Sequence, residues 1–402
     1  MSAKGSFGLR RVRVQGFRSA REVAFQPGPV SALVGEASSG KSNVLAALWA
    51  LLDADAPEIG AEDAWRGGDG RIAIEALLAD KRSLSLETTP PGSVRARREG
   101  APAVVFLPAV LRSGRVVAGS GTRGEPAALA VELFATVLAD RERELTSAAA
   151  PALAFLQGVE RCCEAGLRGL VLLVEEPELF LRPQAQRYLY RLLRTLAGGG
   201  NQVIYSTHAP AFLNVGRLEE LVLVEHDSEA GTRLVQPKPL PASEEFRVVS
   251  EFDAERGELF LARSAVLVEG RTEKLVFPFV FQALGHDPDR EAVSIIECGG
   301  KANIPLFGRI CQATGVPFVA VHDRDAEPGK EPIAAERALN GLIAEVAGRE
   351  HTIVLEPDFE AVAGVPGHKP EHAWRRFASL APPNLPEPLA RAARLALALA
   401  RR

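Results

Sequence analysis

The chain has 402 residues, 47% of them hydrophobic and 24% charged, with a formal net charge of −4. That length allows two or three domains with proper cores. The mild acidity excludes bulk basicity as a means of holding nucleic acid, leaving local patches or bound divalent metals for any such contact.

The four cysteines, Cys162, Cys163, Cys298 and Cys311, show no CxxC spacing. Neither a zinc site nor a disulfide framework is therefore expected. The opening "MSAKGSFGLRRVRVQGFRS" runs straight into an alternating, strand-like pattern, and the longest apolar strand, "LVLLV", is far too short to span a bilayer. The expectation is a cytoplasmic protein with no membrane partner.

Short apolar runs alternate with longer helix-periodic segments, which predicts α/β architecture with parallel sheets. A first domain is placed at residues 1–240. The Pro-rich "QPKPLPASEEF" then leads into a linker at 241–258, and a second strand-helix series occupies 259–402. Within the first block "GGDG" and "TTPPGSVRARREGAP" are read as loops. The tail "EPLARAARLALALARR" is read as a final helix.

"VSALVGEASSGKSNVLAALWALL" is a strand, a Gly-rich turn and an amphipathic helix, with the spacing Gly35-x4-Gly40-Lys41-Ser42. This is the full phosphate-loop pattern in its required context. The glycines let backbone N–H groups wrap phosphates, and the helix N-terminus adds its positive dipole. Lys41 would reach the β- and γ-phosphates of ATP and Ser42 would bind Mg²⁺, with Ser38, Ser39 and Asn43 completing the nucleotide set. "GLVLLVEEPELFLRP" then supplies an apolar strand ending in Glu175 and Glu176. Glu175 would hold Mg²⁺ through water and Glu176 would orient or activate the attacking water. "NQVIYSTHAPAFL" is a further strand, ending in Ser206, Thr207 and His208. His208 could contact the γ-phosphate; the plainer alternative is a Ser-Thr helix cap with a bystander histidine.

The order "RVQGFRS", phosphate loop, "EEPELFLRP", "STHAP" resembles the ABC-type ATPases related to SMC and RecF proteins. The resemblance implies two heads sandwiching ATP, hence a homodimer. It implies a signature loop in "AGSGTRGEPAALAVEL" with Ser120 and Gly121 as contacts, and a nucleotide-contacting Arg18. The chain departs from that family in three respects: Glu175 stands where Asp is usual and Ala37 where Asn is usual, and no glutamine occurs between Gln26 and Gln157. ATP binding is therefore expected more firmly than fast hydrolysis.

In the second block "SAVLVEGRTEKLVF" ends its strand at Glu269, and Glu273 follows one helical turn later. In "PFVAVHDRDAE", Asp323 and Asp325 lie two apart, so an extended strand end would point them the same way and Arg324 the other. Beyond the carboxyl ends of a parallel sheet, Glu269, Glu273, Asp323 and Asp325 can converge. Four carboxylates converge only around cations, and oxygen ligands suit Mg²⁺, Mn²⁺ or Ca²⁺. Arg324 is read as a structural or DNA-backbone contact.

This joint pattern resembles the Toprim domain, and "TIVLEPDFEAVAGVPGHKPEHAW" narrows it to the OLD-family (overcoming lysogenization defect) nucleases, an ABC-type head joined to a C-terminal Toprim domain. The resemblance implies a further acidic pair, assigned to Asp358 and Glu360 with Glu356 competing, and a catalytic lysine, Lys369. Two metals about 4 Å apart would activate water and stabilise the leaving 3′ oxygen of DNA, with Lys369 neutralising the developing charge. The family also implies a role in defence against phage and a helicase partner. Two other readings compete. One is an SMC- or RecF-like DNA clamp whose Toprim domain no longer cuts. The other is a topoisomerase or primase, disfavoured because the only tyrosines, Tyr188, Tyr190 and Tyr205, lie in the head.

Overall fold

A computed structural model describes residues 7–89, 93–107, 117–118, 125–144, 150–213, 215–239, 256–326, 331–367, 369–380 and 382–401. The chain divides into two compact units, Met1–Pro237 and Lys238–Arg402.

In the first unit the chain runs β1 (Leu9–Phe17), β2 (Ala20–Phe25), β3 (Val30–Val34), α1 (Lys41–Leu52), β4 (Ile72–Leu78), β5 (Ser83–Thr89), β6 (Ser93–Arg97) and β7 (Ala103–Leu107). It continues with β8 (Val117–Ala118), α2 (Glu125–Glu144), α3 (Ala150–Glu164), β9 (Leu170–Glu175), α4 (Pro183–Gly198), β10 (Gln202–Thr207), β11 (Leu221–Asp227) and β12 (Gly231–Val235). The described strands form one sheet in the order β6-β5-β4-β1-β2-β12-β11-β3-β10-β9-β7-β8.

Parallel pairing is confined to β11, β3, β10, β9 and β7. The flank built from β12, β2, β1, β4, β5 and β6 is antiparallel. The sheet is thus mixed, where the sequence pattern predicted parallel strands throughout. The residue pattern accounts for the split: β3 and β10 are buried along their whole length, as strands covered on both faces are, whereas β4 and β5 alternate. "TTPPGSVRARREGAP" is also corrected. Residues read as loop belong to β5 and β6, which pair antiparallel from Ser85–Arg97 to Thr89–Ser93. All five residues of β6 are exposed, so the strand lacks the apolar periodicity that would reveal it.

The second unit runs β13 (Ser264–Val268), α5 (Arg271–Ala283), β14 (Val293–Glu297), α6 (Ile304–Thr314), β15 (Phe318–Asp323), α7 (Ala334–Ala347), β16 (Thr352–Leu355), α8 (Phe359–Ala363), α9 (Pro370–Ala378) and α10 (Glu387–Ala400). Its four described strands are all parallel, in the order β14-β13-β15-β16. The chain leaves β13 toward one neighbour and later returns on the other side of it, so the ends of β13 and β15 border a topological switch point, the usual ligand crevice of such sheets. The tail is a helix as expected: α10 buries Leu389, Ala392, Ala393, Ala396 and Leu397 in the core with Val266, Val321 and Ile353.

Candidate functional site

The phosphate loop links β3 to α1, and its glycines are required by what lies against them. Gly40 has φ 110°, and a Cβ there would stand 2.0 Å from Thr232 Oγ1. A Cβ at Gly35 would stand 2.0 Å from the Val224 carbonyl oxygen. The loop is stitched in place by hydroxyls: Thr232 Oγ1 donates to Ser39 O at 3.0 Å and meets Ser19 Oγ at 2.7 Å, and Asn43 Nδ2 donates to Ser19 Oγ at 2.6 Å. Asn43 thus supports the loop through Ser19.

The Lys41 ammonium is 4% exposed and donates to the carbonyls of Gly35 at 2.9 Å and Glu36 at 2.7 Å. Burial lowers it to about 8, against the opposing pull of Glu176, Glu178 and Glu36. Ser39 Oγ is buried with no hydrogen-bond partner among the described residues, Ser42 is exposed, and Ser38 sits at φ 64°. Lys41 held over the loop, Gly40 at the helix start and the unsatisfied Ser39 hydroxyl form a donor-rich cradle that fits a phosphate chain.

Parallel pairing sets Ser206 of β10 opposite Glu175 of β9, and Glu176 turns out of β9 at φ 44°. The Glu176 N–H donates to Ser206 O at 3.0 Å, and Glu176 Oε1 stands 3.3 Å from His208 Nε2. Burial lowers the His208 imidazole, as does Lys41, while Glu176 acts the other way. The two predicted strand ends therefore meet. Arg18 is fixed to the turn Ala61–Asp63, its Nε donating to Asp63 Oδ1 at 2.7 Å and its N–H to Asp63 O at 2.6 Å. Ser120 and Gly121 lie outside the described residues.

Sequence reasoning missed Glu178. It is 7% exposed, and its Oε1 accepts both the Thr207 hydroxyl, at 2.7 Å, and the His208 N–H, at 2.8 Å. Burial raises it. Thr207 Oγ1 in turn accepts the Ala209 N–H at 3.0 Å, so the hydroxyl shapes the turn after β10. The signal present in the sequence was the third carboxylate of "EEPE".

In the second unit the strand ends bring the acidic residues together. The Asp323 N–H donates to Glu269 Oε1 at 2.6 Å, joining the end of β15 to the end of β13. Asp323 Oδ1 is buried and accepts no hydrogen bond among the described residues. Burial first, then Glu269, Glu273, Asp325 and Glu360, raises the Asp323 carboxyl to about 8. Burial likewise raises Glu269 to about 7; the Asp323 N–H opposes this, and Asp325 and Glu273 add to it. Glu273 lies in the first turn of α5, 7% exposed, and is raised by burial and by Glu360. Two carboxyls raised in this way, by burial first and by neighbouring carboxylates second, favour their neutral forms.

Asp325 departs from the predicted geometry. β15 ends at Asp323, and Asp325 has φ 54°, so strand alternation does not aim it. Lys301 Nζ instead holds its Oδ2 at 2.7 Å. Arg324 pairs with Glu331 at 3.3 Å and Glu356 at 3.7 Å. Asp358 caps α8, its Oδ1 accepting the Ala361 N–H at 2.8 Å, while Glu360 is the member of its pair whose charge acts on Glu273 and Asp323. Lys369 is exposed at the N-cap of α9, and among the described residues no ion pair joins it to the acidic group. Nor do three His, Cys, Asp or Glu side chains there already stand at metal-ligand spacing. The donor set fits a hard divalent cation all the same: oxygen ligands only, with a buried unpartnered oxygen on Asp323. A separate cleft of about 690 Å³ lined by Arg21, Trp65, Arg66 and Arg71 contains none of the predicted residues.

Residues 260–325 match the family model described as "Overcoming lysogenization defect protein-like, TOPRIM domain". The second unit carries an OLD-like Toprim domain. Residues 149–214 match "AAA domain, putative AbiEii toxin, Type IV TA system", and residues 7–60 match a family described as a protein of unknown function. The chain is 36% identical over 222 residues to an "OLD nuclease" of Thermus scotoductus, an alignment covering 50% of this chain and 42% of that protein. The chain thus spans less than half of that relative. Among solved structures, the SMC head domain from Thermotoga maritima is 18% identical, covers 57% of this chain and 99% of its own, and superimposes with a TM-score of 0.38. The C-terminal region of the Burkholderia pseudomallei OLD protein is 14% identical, covering 35% and 98%, with a TM-score of 0.30. The chain is an α/β protein whose first unit matches an AAA domain and whose second unit matches an OLD-like Toprim domain. No described helix is long and apolar enough to cross a membrane.

Proposed function

We propose that this chain is an ATP-binding, divalent-metal-dependent DNA endonuclease or nickase. The observation that carries the reading is the junction of β13 and β15, where the Asp323 N–H holds Glu269 and the buried Asp323 Oδ1 is left without a donor. Glu269, Glu273, Asp323, Asp325 and Glu360 are the residues that would hold the cation, Mg²⁺ or Mn²⁺. A cation bound there supplies Lewis-acid activation of water and neutralises the departing oxygen. Asp323, raised to about 8, and Glu269, raised to about 7, would release whatever protons they carry on binding it. Lys369, exposed on its loop, would meet the phosphate from the solvent side.

In the head, Lys41 and the loop amides would hold the ATP phosphates, Ser42 and Glu175 the accompanying Mg²⁺, and Glu176 the attacking water, with His208 braced against it. Hydrolysis is proposed to be slow, serving as a gate on cutting. The setting we propose is a cytoplasmic homodimer acting on phage or foreign DNA, with a helicase partner; the nuclease activity alone is in keeping with the relative's name. The clamp alternative, a Toprim domain that does not cut, is favoured by one observation: among the described residues no ion pair joins Lys369 to the acidic group.

The test is nicking of supercoiled plasmid with Mg²⁺ or Mn²⁺, with and without ATP, for wild type and Asp323→Ala. Cutting by wild type alone supports the reading, and the ATP effect gives the sign of the gate. Equal cutting by both would remove Asp323 from the chemistry, and cutting by neither would favour the clamp.

A further inference from the structure

Lys301 was not singled out by any motif. It follows the Gly299–Gly300 turn after β14 and opens the short turn Lys301–Asn303. That turn is pinned to the site: Gly300 N donates to Glu269 O at 2.7 Å, Cys298 N to Val268 O at 2.9 Å, and Asn303 Nδ2 to Cys298 O at 3.0 Å. Lys301 is 7% exposed, and its ammonium donates to Asp325 Oδ2 at 2.7 Å and to Glu336 Oε2 at 3.1 Å. Glu336 lies in the first turn of α7, so the two ends of the brace stand on separate elements.

A buried ammonium is costly unless paired, and this one is paired twice on the border of an acidic crevice. Asp325 needs such a partner. It lies beyond β15 in a left-handed conformation, where neither pleat nor helix sets its direction, and Lys301 is its one side-chain partner among the described residues. The contact uses a single oxygen of Asp325. Outer partners of this kind fix the orientation of a ligating carboxylate, and their loss costs about 10- to 100-fold in metal affinity.

We propose that Lys301 is a positioning residue for the acidic site: braced by Glu336, it holds one oxygen of Asp325 and leaves the other free for a divalent cation. The inference rests on the reading of Glu269, Asp323 and Asp325 as cation ligands. Lys301 itself touches neither the cation nor the substrate.

The test is calorimetric titration of the full chain with Mn²⁺, alongside circular dichroism and melting, for wild type, Lys301→Met, Lys301→Arg, Glu336→Gln, Asp325→Asn and the Lys301→Met/Asp325→Asn pair. Lys301→Met should weaken Mn²⁺ binding about 10- to 100-fold and Glu336→Gln about tenfold. Lys301→Arg should recover most of the affinity, and Lys301→Met should add little once Asp325→Asn is present. If wild type fails to bind Mn²⁺, the underlying cation-site reading falls and this inference with it. If wild type binds while Lys301→Met binds equally or more tightly, the site reading stands and the positioning role is overturned. Full additivity in the double variant overturns it as well, since Lys301 then acts elsewhere. Should Lys301→Met not fold, Glu336→Gln decides, and unchanged affinity there overturns the role.

Discussion

The Glu178 carboxylate and the Thr207 hydroxyl meet at 2.7 Å, and the same carboxylate oxygen accepts the His208 N–H at 2.8 Å. One buried side chain therefore couples the turn after β9 to the turn after β10, the two segments that place Glu176 and His208. Truncation to Glu178→Ala leaves two donors without their acceptor. Unfolding of the first unit in denaturant should then become easier by about 2 kcal/mol. Glu178→Gln keeps an acceptor oxygen and should lose less than half of that. ATP turnover should suffer more than ATP binding in both. Equal loss of binding and turnover would show that Glu178 serves only the fold.

Lys41→Ala and Gly40→Ala should fail in different ways. Lys41→Ala removes charge-assisted bonds to phosphate together with the ammonium's bonds to the Gly35 and Glu36 carbonyls, so binding of a fluorescent ATP analogue should fall about 100-fold, with a smaller loss of melting temperature than Gly40→Ala. Gly40→Ala puts a Cβ 2.0 Å from Thr232 Oγ1 at φ 110°. It should also destabilise the unit, by about 2 kcal/mol or more. A Gly40→Ala protein that melts like wild type would refute the packing argument.

The acidic site makes the second unit sensitive to pH. Asp323 and Glu269 are raised, to about 8 and about 7, so the fold prefers their protonated forms. The stability they contribute is fully present below their unfolded values and is lost as pH rises through the folded ones. Without divalent metal, the melting temperature should fall between about pH 5 and pH 8. Saturating Mg²⁺ or Mn²⁺ should flatten the profile, as should Asp323→Asn. A melting temperature that climbs over this range and is indifferent to Asp323→Asn would sink the argument.

Asp358 and Glu360 are separable. Asp358 spends its carboxylate on the N-terminus of α8, so Asp358→Ala should cost about 1 kcal/mol of stability and leave Mn²⁺ affinity unchanged. Glu360→Gln should do the reverse, weakening Mn²⁺ binding about tenfold or more. The opposite pattern would reassign the further ligand to Asp358.

What the sequence made legible was whatever is written in consecutive residues. The phosphate loop, the Glu175–Glu176 strand end, and the β13 and β15 strand ends are each a strand with its following turn, and all four appear where the pattern put them. What stayed hidden depends on distance along the chain. Lys301 makes sense only beside Asp325 and Glu336, and nothing near it signals that pairing. The geometry of Asp325 was misjudged because the rule of alternation stops where the strand stops, two residues earlier. Strand β6 was missed because an edge strand exposed on both faces has no periodicity to read. The Arg324 backbone N–H pairs with Leu355 O at 2.9 Å, and its guanidinium pairs with Glu331 and Glu356.

The hydroxyl of Thr232 has a bearing on the order in which the molecule is made. It closes the phosphate loop from 193 residues away, through Ser39 O, and meets Ser19 across 213 residues. A nascent chain that has just released "GEASSGKS" from the ribosome thus owns the whole motif without the clasp that shapes it. The clasp arrives with β12, the last strand of the head. On the proposed reading, affinity for nucleotide is for that reason a late acquisition of synthesis, and ATP binding would report that the sheet has closed rather than that the loop has been translated.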